Sequence, residues 1–202
     1  NIFSKTFQCY KLSLSFCRLR ILCIHINAVD MHQVQSAIDV GTGAGFPGVP
    51  LKIAFPELEA CLLDSLNKRV KFLEETFALL GLENISAIHG RAEEYAKNKA
   101  YREKYDLCVS RAVSGLATLS EYCLPYVKVG GLFVSYKSGS VKEEAEAAEK
   151  AVKILGGKIR DIQYFDLPGS EISRSLVIIE KVKNTPGKYP RKAGTPLREP
   201  LA

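Results

Sequence analysis

From Ile38 to Gly48 the chain reads Ile-Asp-Val-Gly-Thr-Gly-Ala-Gly-Phe-Pro-Gly. A short apolar run ends in an acid and opens into a turn with glycine at every second position, the pattern of a buried parallel strand handing over to a ligand-cradling loop. Four glycines remove the Cβ atoms that would hold a ligand away from the backbone. A helix beginning just beyond adds N–H donors. This stretch restricts the chain to the α/β class and places a binding crevice at the carboxyl end of its first strand.

Gly43 to Gly48 also spells the dinucleotide pattern G-x-G-x-x-G, but its register differs. In a dinucleotide site the first glycine directly follows the strand and the third packs a helix against it. Here Asp39 and Gly41 come first, and Pro47 and Pro50 crowd the helix start. An acid at the strand end, Asp39, suits a ligand with an amine and a positive sulfur better than one with a pyrophosphate. S-adenosylmethionine is such a ligand, and Gly41 and Gly43 would lie against it. Some twenty residues on, the run Ala60-Cys61-Leu62-Leu63 ends in Asp64. That spacing puts an acid at the tip of the neighbouring strand, where it can accept from two ribose hydroxyls, in adenosylmethionine and NAD sites alike. The same side chain could also N-cap a helix starting near Asn67.

At 202 residues and 47% hydrophobic content, the chain can bury one substantial core. It has no unbroken apolar run of about 18 residues, so no membrane partner is expected. Six cysteines at irregular spacing include no C-x-x-C pair, and Cys61 and Cys108 fall in strand candidates, so reduced core thiols in a cytoplasmic protein are expected. Three histidines without a spacing pattern suggest no metal site.

From Lys181 onward the chain carries Lys181, Lys183, Lys188, Arg191, Lys192 and Arg198 against Glu199, five of the six net positive charges. Four prolines in the same stretch forbid a continuous helix. The tail is expected to lie extended along the domain or to reach out from it. A phosphate backbone held by Lys188, Arg191 and Lys192 is its expected partner, with a solvated, solubilising end as the alternative.

Strand and helix alternate from Ser36 onward. Val70, Leu73, Phe77 and Leu80 share one helical face, closed by Gly81, and Ile85 to Ile88 forms a third strand. Tyr105 to Ser110 is the fourth. A helix with Leu116, Leu119, Cys123 and Val127 inward is predicted to stop near Gly130-Gly131, before a fifth strand from Leu132 to Tyr136. Val141, Ala145, Ala148, Val152 and Leu155 stripe the next helix, closed by Gly156-Gly157. The last two runs, Ile159 to Leu167 and Leu176 to Val182, flank Pro168-Gly169-Ser170, a turn tight enough to make them antiparallel. The expected fold is a Rossmann-like, class I adenosylmethionine-dependent methyltransferase: a mostly parallel seven-stranded sheet with an antiparallel C-terminal hairpin.

The acceptor atom can be narrowed. Amine methyltransferases place a D/N-P-P-Y/F turn after the fourth strand, where this chain has Ser110-Arg111-Ala112-Val113. Carbon-5 methylation of cytosine needs a loop cysteine, and the candidate in Cys123-Leu124-Pro125 lies on an apolar helix face and reads as core. A nucleophile needing no proton removal remains. Guanine N7 fits, and catalysis then reduces largely to holding it in line with the sulfonium methyl.

Asp39 to Leu51, Leu63 to Leu73, Gly90-Arg91-Ala92-Glu93-Glu94 and Ser110-Arg111-Ala112 together resemble the RsmG family, also called glucose-inhibited division protein B, the bacterial 16S (small-subunit) ribosomal RNA guanine-N7 methyltransferases. The resemblance runs from about residue 37 to residue 201 and includes Tyr189-Pro190-Arg191-Lys192-Ala193-Gly194. It implies adenosylmethionine contacts at Gly41, Phe46, Ala92, Glu93 and Arg111, with 16S ribosomal RNA or the small ribosomal subunit as partner; a monomer is expected. Arg111, beside the methyl-transfer centre, is the candidate catalytic residue: it could bind the cofactor carboxylate or polarise guanine O6 and N7, with a salt bridge to Asp106 or Glu93 as the structural alternative. Lys137, after the fifth strand, is expected to face RNA.

The expected organisation is an atypical segment over 1–36, a methyltransferase domain over 37–182 and a basic, proline-rich tail over 183–202. Residues 1–36 depart from the family: they lack Glu, carry three of the six cysteines and read as an out-of-frame or truncated start. Ile21 to Ile26 is too short for a signal-peptide core. Two alternatives stand beside methyl transfer. An RNA-binding remnant would keep the tail and lose the cofactor pocket; an NAD-dependent oxidoreductase would need a substrate-side His or Lys pair that the sequence does not show.

Overall fold

The computed structural model describes residues 29–111, 114–166 and 172–201. Its seven strands are β1 (Ser36–Val40), β2 (Glu59–Asp64), β3 (Ile85–His89), β4 (Tyr105–Arg111), β5 (Val127–Ser138), β6 (Gly157–Asp166) and β7 (Ser173–Lys181), forming one sheet in the order β3-β2-β1-β4-β5-β7-β6. Strands β1 to β5 pair in parallel, and β7 is antiparallel to both β5 and β6. The central strands are covered on both faces, so β1, β2 and β4 read as near-continuous apolar runs. β6, at the edge, buries only its first residue and is otherwise half-buried or exposed.

The helices are α1 (Gly48–Ala54), α2 (Asn67–Leu80), α3 (Ala92–Tyr95), α4 (Leu116–Cys123), α5 (Lys142–Ile154) and α6 (Thr195–Arg198). In α2, Val70, Leu73 and Phe77 are buried as their spacing predicts, and Gly81, at φ 62°, takes the left-handed turn that closes the helix. All five predicted inward positions of α5 and its flanks, Val141 through Leu155, are buried. Cys61, Cys108 and Cys123 are buried free thiols, and burial pushes the Cys61 and Cys108 thiols upward.

One boundary differs from the sequence expectation. The helix after β4 ends at Cys123, not near Gly130-Gly131, because Leu124–Tyr126 tightens into a 3-10 turn around Pro125, which has no N–H to continue the helix. Val127 therefore begins β5, and the two glycines lie inside that strand. A Cβ on Gly131 would sit 2.6 Å from the Asp106 carbonyl oxygen, which explains why a strand interior tolerates glycine there. The β6–β7 hairpin is antiparallel as expected, with its Pro168-Gly169-Ser170 turn outside the described residues. Most of segment 1–36 lies outside them as well.

Candidate active site

The strand order reverses direction between β1 and β4. Crevices outside the carboxyl ends of such strands are where open α/β sheets bind ligands. Asp39, the glycine loop, Phe46, Asp64 and Arg111 all converge on this end. A separate cleft, lined by Ser36, Glu59, Cys61, Asn84 and Tyr105, opens at the opposite, amino-terminal ends of the strands, away from these residues.

Asp39 organises the loop. Its Oδ2 accepts from the Thr42 hydroxyl at 2.7 Å and from the Gly48 N–H at 2.9 Å. Among the described residues its Oδ1 has no hydrogen-bond partner although it is buried. Burial pushes its pKa up to about 6, against the Thr42 and Gly48 hydrogen bonds and the nearby Arg111 charge, which lower it. A buried carboxylate with one oxygen unanswered fits a cationic ligand.

The loop backbone is more self-contained than the glycine pattern alone implies. Gly41 N–H and Thr42 N–H donate to the Leu63 carbonyl at 2.8 and 3.2 Å, Gly43 N–H to Asp64 Oδ2 at 2.8 Å, and Gly45 N–H to the Thr42 carbonyl at 3.0 Å. Gly41, Gly43 and Gly45 sit at φ 73°, 63° and 90°, the left-handed region that glycine enters without a Cβ penalty. These glycines therefore give the loop its shape and its clearance, while its donors tie it to the end of β2.

Asp64 is the other half of that tie. Besides Gly43, it accepts from the Leu66 N–H at 2.9 Å and pairs with the half-exposed Arg69 at 3.2 Å. It turns the chain into α2 and does not cap the helix itself, since the bond falls on the residue before the first helical position. Ala92 and Glu93 open α3, next to β3. The Ala92 carbonyl accepts from the buried Tyr126 hydroxyl at 2.7 Å, and Glu93, also buried, accepts the Gly194 N–H at 2.8 Å.

Arg111 ends β4 exposed, its guanidinium carbon 5.5 Å from the centre of the Phe46 ring, within cation–π range. Among the described residues it forms no ion pair. Asp106 is taken by Lys128 and Ser36, and Glu93 by Gly194. Asp39, Phe46 and Arg111 thus lie near one another, with Asp64 at the end of β2 and Glu93 in α3, just beyond β3.

Two cations expected at RNA are turned inward. Lys137 donates to the Ser114 carbonyl and to Glu144 Oε1, both at 2.7 Å, and Glu144 Oε1 also accepts the Leu116 N–H at 2.7 Å. The pair braces the start of α4, just beyond the Arg111 strand end. Arg191 is gripped by the fully buried Glu121, whereas Lys188 and Lys192 are exposed. Glu121, Glu144 and Arg102 escape a sequence reading. For Glu121 alone there was a signal, an acid within the apolar stretch of α4.

Asp39 carries a pH signature. A folded-state pKa near 6 against an ordinary 3.8 means that the native state binds the proton more tightly, so this group's contribution is full below about pH 4 and is lost as pH rises through 6. The loss amounts to about 3 kcal/mol at 1.36 kcal/mol per unit. Denaturant midpoints from pH 4 to 7 should show that Asp39→Asn removes this component of the wild-type decline; parallel pH profiles for the two proteins would refute it.

A seven-stranded sheet in this order, with an acid-tipped β1, an acid-tipped β2 and a glycine loop at the reversal, defines the class I adenosylmethionine-dependent methyltransferase fold. Residues 20–176 match the sequence model of the family described as rRNA small subunit methyltransferase G (GidB), and the chain belongs to that family. It is 53% identical over 179 residues to the "Ribosomal RNA small subunit methyltransferase G" of Lachnoclostridium phytofermentans, covering 87% of this chain and 74% of that protein. To the protein of the same description from Acetivibrio thermocellus it is 58% identical over 164 residues, 81% of this chain and 67% of the relative. Among solved structures, it superposes on StiE O-MT with a TM-score of 0.63 at 16% identity, covering 89% of this chain and 78% of that one. A mutant of MtNAS in complex with S-adenosylmethionine gives 0.61 at 13% identity, covering 82% and 62%. At these identities the likeness establishes the fold alone.

Proposed function

We propose that the chain transfers a methyl group from S-adenosylmethionine to N7 of a guanine in 16S ribosomal RNA, acting as a monomer in the cytoplasm. The observation that carries this reading is the convergence of the buried Asp39, with its Oδ1 unanswered among the described residues, and Arg111, which forms no ion pair among them, at the β1/β4 reversal of a chain in this family. Residues 37–182 form the methyltransferase domain in this reading and 183–202 its basic tail. No helix among the described residues is long and apolar enough to cross a membrane.

The residues present fit the cofactor. Asp39 would hold its cationic end, Gly41, Gly43 and Phe46 would line its path, and Ala92 and Glu93 would meet the adenine edge. Asp64 would accept from the ribose, for which the half-exposed Arg69 is the exchangeable partner, since the Gly43 and Leu66 bonds are backbone. When bound, S-adenosylmethionine supplies an electrophilic methyl on a sulfonium. Guanine N7 would take that methyl with its lone pair as the S–CH3 bond breaks and the neutral thioether leaves, so no side chain need remove a proton, and the chain's work is alignment. Arg111 can donate to guanine O6 and N7 or hold the cofactor carboxylate. Transfer of labelled methyl to 16S ribosomal RNA, offered free or as the small subunit from a strain lacking the modification, tests the reading. No incorporation in either form would reject it.

Lys188 and Lys192 are the tail cations that would hold phosphate. Neutralising both should weaken RNA binding uniformly across sequences and reduce its log–log salt slope by roughly 0.7 for each single-strand phosphate no longer neutralised, with cofactor affinity unchanged. Binding curves at several salt concentrations decide this, and an unaltered slope would make the tail cations merely solvated.

A further inference from the structure

The tail is fastened to the domain by buried charge. Arg102 donates to the Thr185 and Tyr189 carbonyls at 2.8 and 2.9 Å, and Glu103 accepts the Thr185 N–H at 2.7 Å and pairs with the fully buried Lys181. Further along, Glu121 of α4, with no solvent exposure, accepts from the Arg191 N–H at 2.7 Å, from Nε at 3.0 Å and from Nη2 at 2.7 Å. One turn earlier on α4, the Thr118 hydroxyl donates to the Pro196 carbonyl at 2.9 Å. Glu121 and Thr118 thus hold the tail on either side of Gly194, on one face of one helix. Between them the chain makes a turn closed by the Thr195 N–H on the Lys192 carbonyl, with Gly194 at φ 82°, and the Gly194 N–H reaches Glu93 Oε1.

We propose that Glu121 is a positioning residue for the cofactor pocket: through Arg191 it seats the tail so that the Gly194 N–H fixes the Glu93 carboxylate. The proposal rests on the reading that Glu93 touches the cofactor. A fully buried carboxylate without its guanidinium would be strongly unfavourable, so Glu121 and Arg191 act as one unit. Among the described residues the second Glu93 oxygen makes no hydrogen bond, so the Gly194 N–H, by holding one oxygen, aims the other at the ligand. Solubility alone would need neither the buried acid nor its bonds to three nitrogens of one tail residue.

Calorimetric titration with S-adenosylhomocysteine of the full chain and of Glu121→Gln, Arg191→Lys, Glu93→Gln and the Arg191→Lys/Glu93→Gln double variant tests the proposal. Arg191→Lys keeps the charge on Glu121 and serves should Glu121→Gln fail to fold. Each folded tail-unit variant should bind about tenfold more weakly, within the usual span of inter-site coupling. The double variant should bind no more weakly than Glu93→Gln alone, and the Gly194 amide resonance should shift in Arg191→Lys and Glu93→Gln alike. Additive losses in the double variant, or unchanged affinity in Arg191→Lys while the wild type binds, would overturn the proposal and spare the assignment of the pocket. A wild type that does not bind would overturn both.

Discussion

Replacing Gly41 by valine is expected to abolish binding of S-adenosylmethionine and of its demethylated product. At φ 73° the residue occupies a region where a β-branched side chain is a steric outlier, at a local cost of about 1–3 kcal/mol. Its N–H bond to the Leu63 carbonyl fixes the first turn of the loop against β2, so the strain cannot be relieved without moving the loop. The added methyls would also stand in the backbone cradle proposed for the cofactor. Gly48→Ala should act on the same pocket from behind, because its Cβ would lie 2.9 Å from Asp39 Oδ2 and 3.0 Å from Leu62 Cγ. Calorimetric titration, with thermal melting to confirm that each variant folds, measures the effect. Full affinity in Gly41→Val would show that the pocket lies elsewhere.

The sheet was legible because its signals are local. Ile38 to Val40, Leu62-Leu63 and Leu107 to Val109 are buried on both faces and so read as apolar runs; Gly81 and Gly156 stop helices at positions that a one-dimensional pattern can mark. Asp39 and Asp64 were legible for the same reason, since strand end and loop are adjacent in sequence. The insertion of β7 between β5 and β6 was not. Its pairing, Phe133 with Ile179 and Ile159 with the same residue, is decided by which strand can bury two faces, and spacing does not encode that. The early end of α4 was missed because Val127 suits a helix face as well as a strand. Lys137 and Arg191 show the limit of charge counting: their partners, Glu144 and Glu121, lie 7 and 70 residues away, and only the packed chain brings Glu121 to Arg191. A cation in a basic, proline-rich tail carries no mark that it faces inward.

Arg111→Ala is expected to lower methyl transfer at least tenfold, or about 1.4 kcal/mol of transition-state stabilisation, with the fold intact. The residue stands at the end of β4, over Phe46, close enough to Asp39 to oppose the upward push of burial on that carboxyl, and without an ion pair among the described residues. An exposed guanidinium with no ion pair among the described residues has little structural work to lose, so its removal should fall on kcat/KM and not on melting temperature. Arg111→Lys should fail to restore the rate if the contact is bidentate, since an ammonium cannot present two parallel N–H groups to guanine O6 and N7 or to a carboxylate. The two targets separate kinetically. Removing a bond to the cofactor carboxylate raises the dissociation constant for S-adenosylhomocysteine in parallel with the fall in rate, whereas removing a bond to guanine leaves that constant unchanged and lowers single-turnover transfer at saturating cofactor. Wild-type turnover by the alanine variant would remove Arg111 from the reaction and leave the cation over Phe46 as a packing contact.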